Sequence, residues 1–261
     1  MRVIITGASR GIGAAIANTF AMKYKSKAVL SLLGRSFDNP SHPKTPGTLL
    51  ETVKSVKAHG SSGIPFKVDL QQTDELSETI SKAIEYMGGL DILINNASVL
   101  YMAPTIKQMN LMHKVNTMAT LIAMKTSIPA LNVSKGSIVT ISPPIHLANL
   151  DWISNHPEYT ISKYSMTLAT LGIASNNIRS NCIWPRYTIA TSATKRLEDE
   201  GYIGAFTDGR VPAEFAFAVH DLAISKLNAQ TVYDDEIIEL PDTDAPLDVF
   251  AKACTRHLCK N

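Results

Sequence analysis

Tyr159 and Lys163 stand four positions apart. On a helix that spacing places both side chains on one face, one turn from each other. A free tyrosine hydroxyl titrates near ~10, too high for easy proton exchange at neutral pH. A nearby ammonium favours the phenolate and lowers that value. The two side chains could therefore form a general acid/base, with Lys163 also able to hold the hydroxyls of a bound ribose. Tyrosine and lysine meet at this spacing by chance on many helices, so the meaning of the pair depends on what precedes it.

What precedes it is a glycine-rich turn, Gly7-Ala8-Ser9-Arg10-Gly11-Ile12-Gly13, which follows an apolar strand and opens a helical pattern. Gly7 lets the chain turn sharply out of the strand. Gly11 and Gly13 let the backbone come close to a pyrophosphate and to the sheet. The N-terminus of the following helix offers free N–H groups and positive dipole to the phosphates. The second strand ends Leu32-Leu33-Gly34-Arg35-Ser36, without the acid that would take ribose hydroxyls and repel a 2′-phosphate. Arg35 and Arg10 are instead suited to pairing with such a phosphate, which points to NADP(H). Asp69-Leu70 ends the third strand, where a carboxylate can accept from an adenine amino group and a leucine can pack on the ring. Asn95-Asn96-Ala97-Ser98 ends the fourth, where asparagines can tie strand ends together and the small Ala97 leaves space for a cofactor.

These residues need a scaffold. Apolar runs mark strands at Arg2–Thr6, Ala28–Leu33, Gly63–Val68, Ile92–Asn95, Ser137–Ser142, Ile178–Ile183 and Asp235–Leu240. Helical periodicity marks Gly11–Tyr24, Leu49–Ala58, Asp74–Met87, Lys107–Ser127, Tyr159–Ile173 and Ala213–Leu227. Alternation of this kind implies an α/β fold, a parallel sheet covered on both faces. Two segments fall outside it. Ser36 to Gly47 holds three prolines and reads as a long loop, either a surface insertion or a functional element. Thr191 to Val211 is polar and reads as a lid.

The chain has 261 residues, enough for one large domain, with 45% hydrophobic and 18% charged residues and a formal charge of +2. We expect one domain over 1–245 and a short extension over 246–261. No basic stripe suggests a nucleic acid partner, and no apolar run reaches the ~20 residues of a membrane span. The first strand begins directly after Met1, leaving no room for a targeting peptide in the sequence as read. The cysteines, Cys182, Cys254 and Cys259, form an odd, sparse set without metal-ligand spacing. They suit reduced thiols, so the expectation is a cytoplasmic protein without a metal site.

The ordered set of glycine turn, NNAS, Asn116 and Tyr159-x-x-x-Lys163 resembles the short-chain dehydrogenase/reductase family, from Met1 to about Leu240. Within it, His42-Pro43-Lys44, Ile141-Ser142-Pro143-Pro144, Tyr159-Thr160-Ile161-Ser162-Lys163-Tyr164 and Trp184-Pro185 resemble the hydroxysteroid dehydrogenase-like protein 2 group. The resemblance implies a Rossmann fold, a doubly wound seven-stranded parallel sheet with helices on both faces. It implies Tyr159 as proton donor to a substrate carbonyl, Lys163 on the ribose, and Asn116 in a proton relay. Gly7 to Gly13, Arg35, Asp69, Leu70, Asn96 and the backbone of Ile189 would contact the cofactor. Assembly as a homodimer or homotetramer through Lys107–Ser127 and Tyr159–Ile173 is also implied.

Three positions depart from the family pattern. The usual catalytic serine is nearer the tyrosine than Ser142, which lies 17 residues before Tyr159. Read from the strand, Pro143 takes the serine's place, and either Ser142 substitutes or that contact is lost. Arg186 stands where a glycine usually follows Pro185, and Ala119 where a glycine often follows the asparagine. Tyr101, Met102, His146, Trp152, His156, Trp184 and Tyr187 are candidates for the wall of an apolar, aromatic-lined substrate pocket. The leading expectation is an NADP(H)-dependent oxidoreductase acting on a small carbonyl or alcohol. The alternative is an NADP(H)-binding sensor or scaffold without turnover.

Overall fold

The computed structural model describes residues 1–41, 43–146, 150–202 and 210–238. The expected extension, 246–261, lies outside the described residues. Strands β1 (Arg2–Thr6), β2 (Val29–Gly34), β3 (Ser62–Lys67), β4 (Ile92–Asn95), β5 (Ser137–Ile141), β6 (Arg179–Trp184) and β7 (Thr231–Tyr233) form a single sheet. Its order is β3-β2-β1-β4-β5-β6-β7, and every pairing is parallel. The order reverses between β1 and β4. The carboxyl ends of those two strands therefore border the crevice where open α/β sheets take ligands.

The strands read as nearly continuous apolar runs because both faces are covered. With a side-chain period of two, Val3 and Ile5 enter one core while Ile4 enters the other. On the first face lie α1 (Gly11–Tyr24), α2 (Leu49–Ala58) and α9 (Pro212–Ile224), which contribute Phe20, Val53 and Phe215. On the second lie α3 (Thr73–Met87) and α5 (Ala119–Ser134), with Leu76, Ile80 and Met124. The helix α7 (Pro157–Ile173) packs beside α5 and carries Tyr159 and Lys163. Pro157 sits in its first turn, where a missing N–H costs nothing.

Three elements differ from the sequence-based expectation. The helix expected at Lys107–Ser127 begins as α4 (Ile106–Met112), widens into a π-helical turn over His113–Met118, and continues as α5 to Ser134, through Pro129. The seventh strand lies earlier than Asp235–Leu240. Thr231–Tyr233 pairs with β6, and the acidic run Asp234-Asp235-Glu236 opens a short helix, α10 (Asp234–Ile238), as acids at a helix N-terminus favour. The polar segment after β6 contains α8 (Ser192–Asp199), started by a capping box between Thr191 and Thr194. A further short helix, α6 (Leu150–Asn155), precedes α7.

Candidate active site

A cleft of about 790 Å³ opens at the carboxyl ends of the strands. That volume suits a dinucleotide or a drug-sized ligand. Its floor at one end is the glycine turn. Gly7 and Gly11 hold φ of +68° and +53°, a region that side chains rarely adopt. Gly13 has an ordinary φ but no room: a Cβ there would land on the Gly7 carbonyl oxygen and 2.6 Å from Asn96 Nδ2. Asn96 is what holds the turn. Its Nδ2 donates to the carbonyls of Thr6 at 2.9 Å and Gly7 at 3.2 Å, and its N–H donates to Thr6 Oγ1 at 3.1 Å. Asn95, fully buried, ties β4 to β5 by donating to Thr140 Oγ1 at 3.3 Å. No side chain caps the N-terminus of α1, so its first N–H groups remain available to an anion.

Around this turn the Pro-rich loop is a wall rather than a surface insertion. Arg10 Nη1 donates to the Thr45 carbonyl at 2.8 Å and lies 3.4 Å from Ser36 Oγ. Gly47, with φ of +114°, passes so close that a Cβ would sit 2.7 Å from both Arg10 Cβ and the Ser9 carbonyl oxygen. Arg35, exposed, and the half-buried Arg10 both line the cleft, with Ser36, Ser41 and Thr45 beside them. Burial, and then the charge of Arg35, push the Arg10 guanidinium below its ordinary pKa. Among the described residues neither arginine has a carboxylate ion-pair partner. Asp69 and Leu70 line the same end, with the Asp69 carboxylate accepting from the Gln71 backbone N–H at 3.1 Å. Ser9, Ile12 and Ile189 also face the cleft. Ala8 does not: it packs into the core, and its carbonyl accepts from the Thr52 hydroxyl at 2.9 Å.

At the other end stand Tyr159 and Lys163, both on the cleft wall. Burial pushes the Tyr159 hydroxyl above its ordinary pKa, and the nearby Ser98 side chain acts in the opposite sense. Lys163 is 1% exposed. Its Nζ donates to the Ile141 carbonyl at 2.5 Å and lies 5.2 Å from the centre of the Trp184 ring. Burial pushes it down to about 7, while the neighbouring Cys182 opposes that shift. The ammonium is thus directed at a strand-end carbonyl, and the hydroxyl that favours ionisation of Tyr159 is that of Ser98.

Asn116 and Ser142 lie behind the cleft wall. Asn116, fully buried in the π turn, clamps both backbone groups of Val99. Its Oδ1 accepts from Val99 N–H at 2.8 Å, and its Nδ2 donates to the Val99 carbonyl and to Ser162 Oγ, each at 3.0 Å. A π turn inside an α-helix is frequently a functional feature. Ser142 follows the alternation of β5 onto the face shared with Ile138 and Thr140, away from the cleft-lining Ile141. It is fully buried, and its hydroxyl lies beside the Cys182 thiol without a hydrogen-bond partner of ordinary geometry. Pro143 and Pro144 follow and bring no donor. The structure therefore does not bring Ser142 to Tyr159.

The substrate side is walled by Val99, Leu100, Tyr101, Met102, Leu111 and Val115 opposite His156, Trp184 and Tyr187. Helix α8 closes over it. Arg196 Nη2 donates to the Leu100 carbonyl at 2.8 Å, and its guanidinium lies 5.4 Å from the Tyr101 ring. The lid expected at Thr191–Val211 is in part this helix, and 203–209 lies outside the described residues. His146 belongs to a smaller neighbouring pocket, where its Nε2 is 3.2 Å from the Tyr233 hydroxyl. The side chain of Trp152 lies outside the described residues. Arg186, in the usual glycine position, is bound to Asp235 and Glu236 at 2.5 and 3.0 Å and fastens the end of β6 to α10. Sequence reasoning missed Ser98 as the partner of Tyr159, and Ser41, Thr45 and Thr194 as lining residues. The Thr191/Thr194 cap was a signal for α8, and Ser98 was already visible as the last residue of NNAS.

A doubly wound parallel sheet, a glycine turn at its switch point and a Tyr/Lys helix in one cleft define a nicotinamide-dependent oxidoreductase scaffold. The profile of the short chain dehydrogenase family matches residues 1–201, and the chain belongs to that family. It is 37% identical over 225 residues to hydroxysteroid dehydrogenase-like protein 2 of Bos taurus, covering 83% of this chain and 52% of that protein. The protein of the same name from Xenopus laevis is 34% identical over 258 residues, covering 95% of this chain and 60% of the relative. The chain thus spans between about half and three fifths of the length of these curated relatives. A crystal structure of a putative dehydrogenase from Xanthomonas campestris superposes with a TM-score of 0.81 at 32% identity, over 91% of this chain and 88% of that one. No helix among the described residues is long and apolar enough to cross a membrane.

Proposed function

We propose that this chain is an NADP(H)-dependent oxidoreductase that reduces the carbonyl of a small apolar substrate, or oxidises the corresponding secondary alcohol. The observation that carries the reading is that one cleft joins two arginines, without carboxylate partners among the described residues, at one end to Tyr159 and Lys163 at the other. The residues fit the cofactor. Gly13 lets the turn close on Gly7 and Asn96, Gly11 keeps its cleft side free of a side chain for a pyrophosphate at the N-terminus of α1, and Arg10 and Arg35 present guanidinium groups for a 2′-phosphate. Asp69 and Leu70 suit the adenine, and Lys163 suits ribose hydroxyls.

A reduced nicotinamide, when bound, supplies the hydride for the carbonyl carbon. Tyr159 then gives its phenolic proton to the carbonyl oxygen, and in the reverse direction takes it back from the alcohol. Lys163, drawn to about 7 by burial, regains its charge as polar groups enter the cleft and then favours the phenolate form. Asn116 acts by holding Val99, and through it the wall that faces Tyr159. The apolar side chains from Val99 to Met102, with α8 above them, exclude water from the reacting oxygen.

The test begins with titration of NADPH and NADH, followed by tryptophan fluorescence, for which Trp184 in the cleft wall is the reporter. We expect tight NADPH and weak NADH binding, turnover of aromatic carbonyl probes, and loss of turnover without loss of NADPH binding in Tyr159→Phe. Unchanged turnover in that variant would defeat the assignment. The removal of Ser142 from the cleft favours a second reading, an NADP(H)-binding sensor. Tight binding with no oxidation of NADPH across the carbonyl panel would move that reading to first place.

A further inference from the structure

Reduction of a carbonyl builds negative charge on its oxygen, and a single proton donor rarely carries that charge alone. Preorganised hydrogen-bond donors aimed at the developing oxyanion are among the largest contributors to catalysis. The end of β5 does not supply one here. Ser142 is turned into the core beside Cys182, and Pro143 and Pro144 have no N–H or hydroxyl to offer. The cleft wall opposite Tyr159 does. Ser98 leaves β4 three residues after its last strand residue, Asn95, is exposed, lines the same cleft as Tyr159, and its side chain is near enough to favour the Tyr159 phenolate.

Its backbone is also held. The next residue, Val99, has its N–H and its carbonyl both fixed by the buried Asn116 side chain, at 2.8 and 3.0 Å. The residue before it, Ala97, donates its N–H to Thr6 Oγ1 at 3.1 Å. Asn116 Nδ2 donates further to Ser162 Oγ, whose own hydroxyl donates to the Tyr159 carbonyl at 2.8 Å. One chain of hydrogen bonds therefore fixes the strand end carrying Ser98 and the helical turn carrying Tyr159 relative to each other. Preorganisation of this kind is what an oxyanion donor requires.

We propose that Ser98 is the second catalytic hydroxyl, donating a hydrogen bond to the substrate oxygen beside Tyr159 in place of a donor at the end of β5. The inference rests on the proposed Tyr159 chemistry. In the reduction, hydride joins the carbonyl carbon as the C=O π bond breaks. Ser98 Oγ–H stabilises the oxygen, the Tyr159 O–H bond breaks, and its proton completes the alcohol. Ser98 keeps its own proton. Asn116 is the positioning residue for Ser98.

The experiment compares wild type, Ser98→Ala, Ser98→Thr, Ser142→Ala and Tyr159→Phe with NADPH and two probes, phenanthrenequinone and para-nitrobenzaldehyde. We expect Ser98→Ala to lower kcat by about a hundredfold, the usual loss for one oxyanion donor, with KM and NADPH binding little changed. Its pH profile should move its ionisation upward, because the hydroxyl that favours the Tyr159 phenolate is gone, and Ser98→Thr should restore most of the rate. An unchanged kcat in Ser98→Ala, failure of Thr to rescue, or an equal loss in Ser142→Ala overturns the role of Ser98. So does a parallel loss of NADPH affinity. If Tyr159→Phe is inactive while Ser98→Ala is not, only this inference falls. If wild type reduces neither probe, or Tyr159→Phe keeps its activity, the Tyr159 reading falls and takes this one with it.

Discussion

Arg35 offers the sharpest test of cofactor choice, because it is exposed and its side chain supports nothing else among the described residues. Arg10 is different: it holds the Thr45 carbonyl, so removing it would also loosen the loop from 36 to 47. Hydrogen bonds to charged groups contribute about 1.5–3 kcal/mol, and an exposed site lies near the lower end. Part of the loss is returned, since Arg10 is freed from the like charge that opposes its own. Arg35→Ser should then weaken NADPH by about 1.4 kcal/mol, or about tenfold, and leave NADH nearly untouched. The difference should shrink as salt rises, because the interaction is solvent-screened. Arg35→Asp should go further and reverse the preference, since a carboxylate accepts from ribose hydroxyls and repels a 2′-phosphate. Paired titrations at low and high ionic strength, read by tryptophan fluorescence, measure this. If NADPH and NADH weaken together, Arg35 does not read the 2′-phosphate. If neither changes, the cofactor end lies elsewhere.

Three further outcomes follow from the geometry. Gly13→Ala should destabilise the fold by about 1–3 kcal/mol and abolish cofactor binding, because its Cβ collides with the Gly7 carbonyl and Asn96; retained NADPH affinity with an unchanged denaturation midpoint would contradict the described turn. Lys163 titrates at about 7 in the fold and near ~10.4 in an unfolded chain, so between those values the unfolded state binds more protons and this residue makes the cofactor-free protein more stable as pH rises. Its slope is at most about 1.4 kcal/mol per pH unit, and the difference between wild type and Lys163→Met isolates it from the opposing Cys182 thiol; identical slopes in urea denaturation would refute the burial argument. Finally, Met118, Leu121, Ile161 and Leu168 are exposed on the π turn, α5 and α7, which fits assembly through these helices. Light scattering at micromolar concentration should give a dimer or tetramer, and a monomer mass would exclude it.

The site was legible in the sequence wherever chemistry depends on residues adjacent in the chain. The glycine turn, Arg35 after β2 and the Tyr159/Lys163 spacing are local patterns, and one strand–turn–helix unit or one helical face is enough to place them. Strand identity was legible for the same reason, since alternation such as Val3-Ile4-Ile5 between two cores needs no knowledge of partners. What failed depended on contacts across the fold. Asp235–Leu240 looks like a strand by its apolar residues. The buried Asp234, bound by Arg210 and by the Arg186 N–H, nevertheless marks the start of a helix, and both partners lie more than 20 residues away. The fate of Ser142 turned on a single step of strand register, which sends its side chain to Cys182 instead of the cleft. Asn116 was chosen for a relay, and its side chain holds both backbone groups of Val99 and the Ser162 hydroxyl, contacts that only the packing of the π turn against β4's exit could disclose. The same clamp explains why the sequence named NNAS but gave no weight to its last residue. Ser98 acquires its chemistry only once the helix carrying Tyr159 is brought against it, with the backbone on either side, at Ala97 and Val99, held by Thr6 and Asn116.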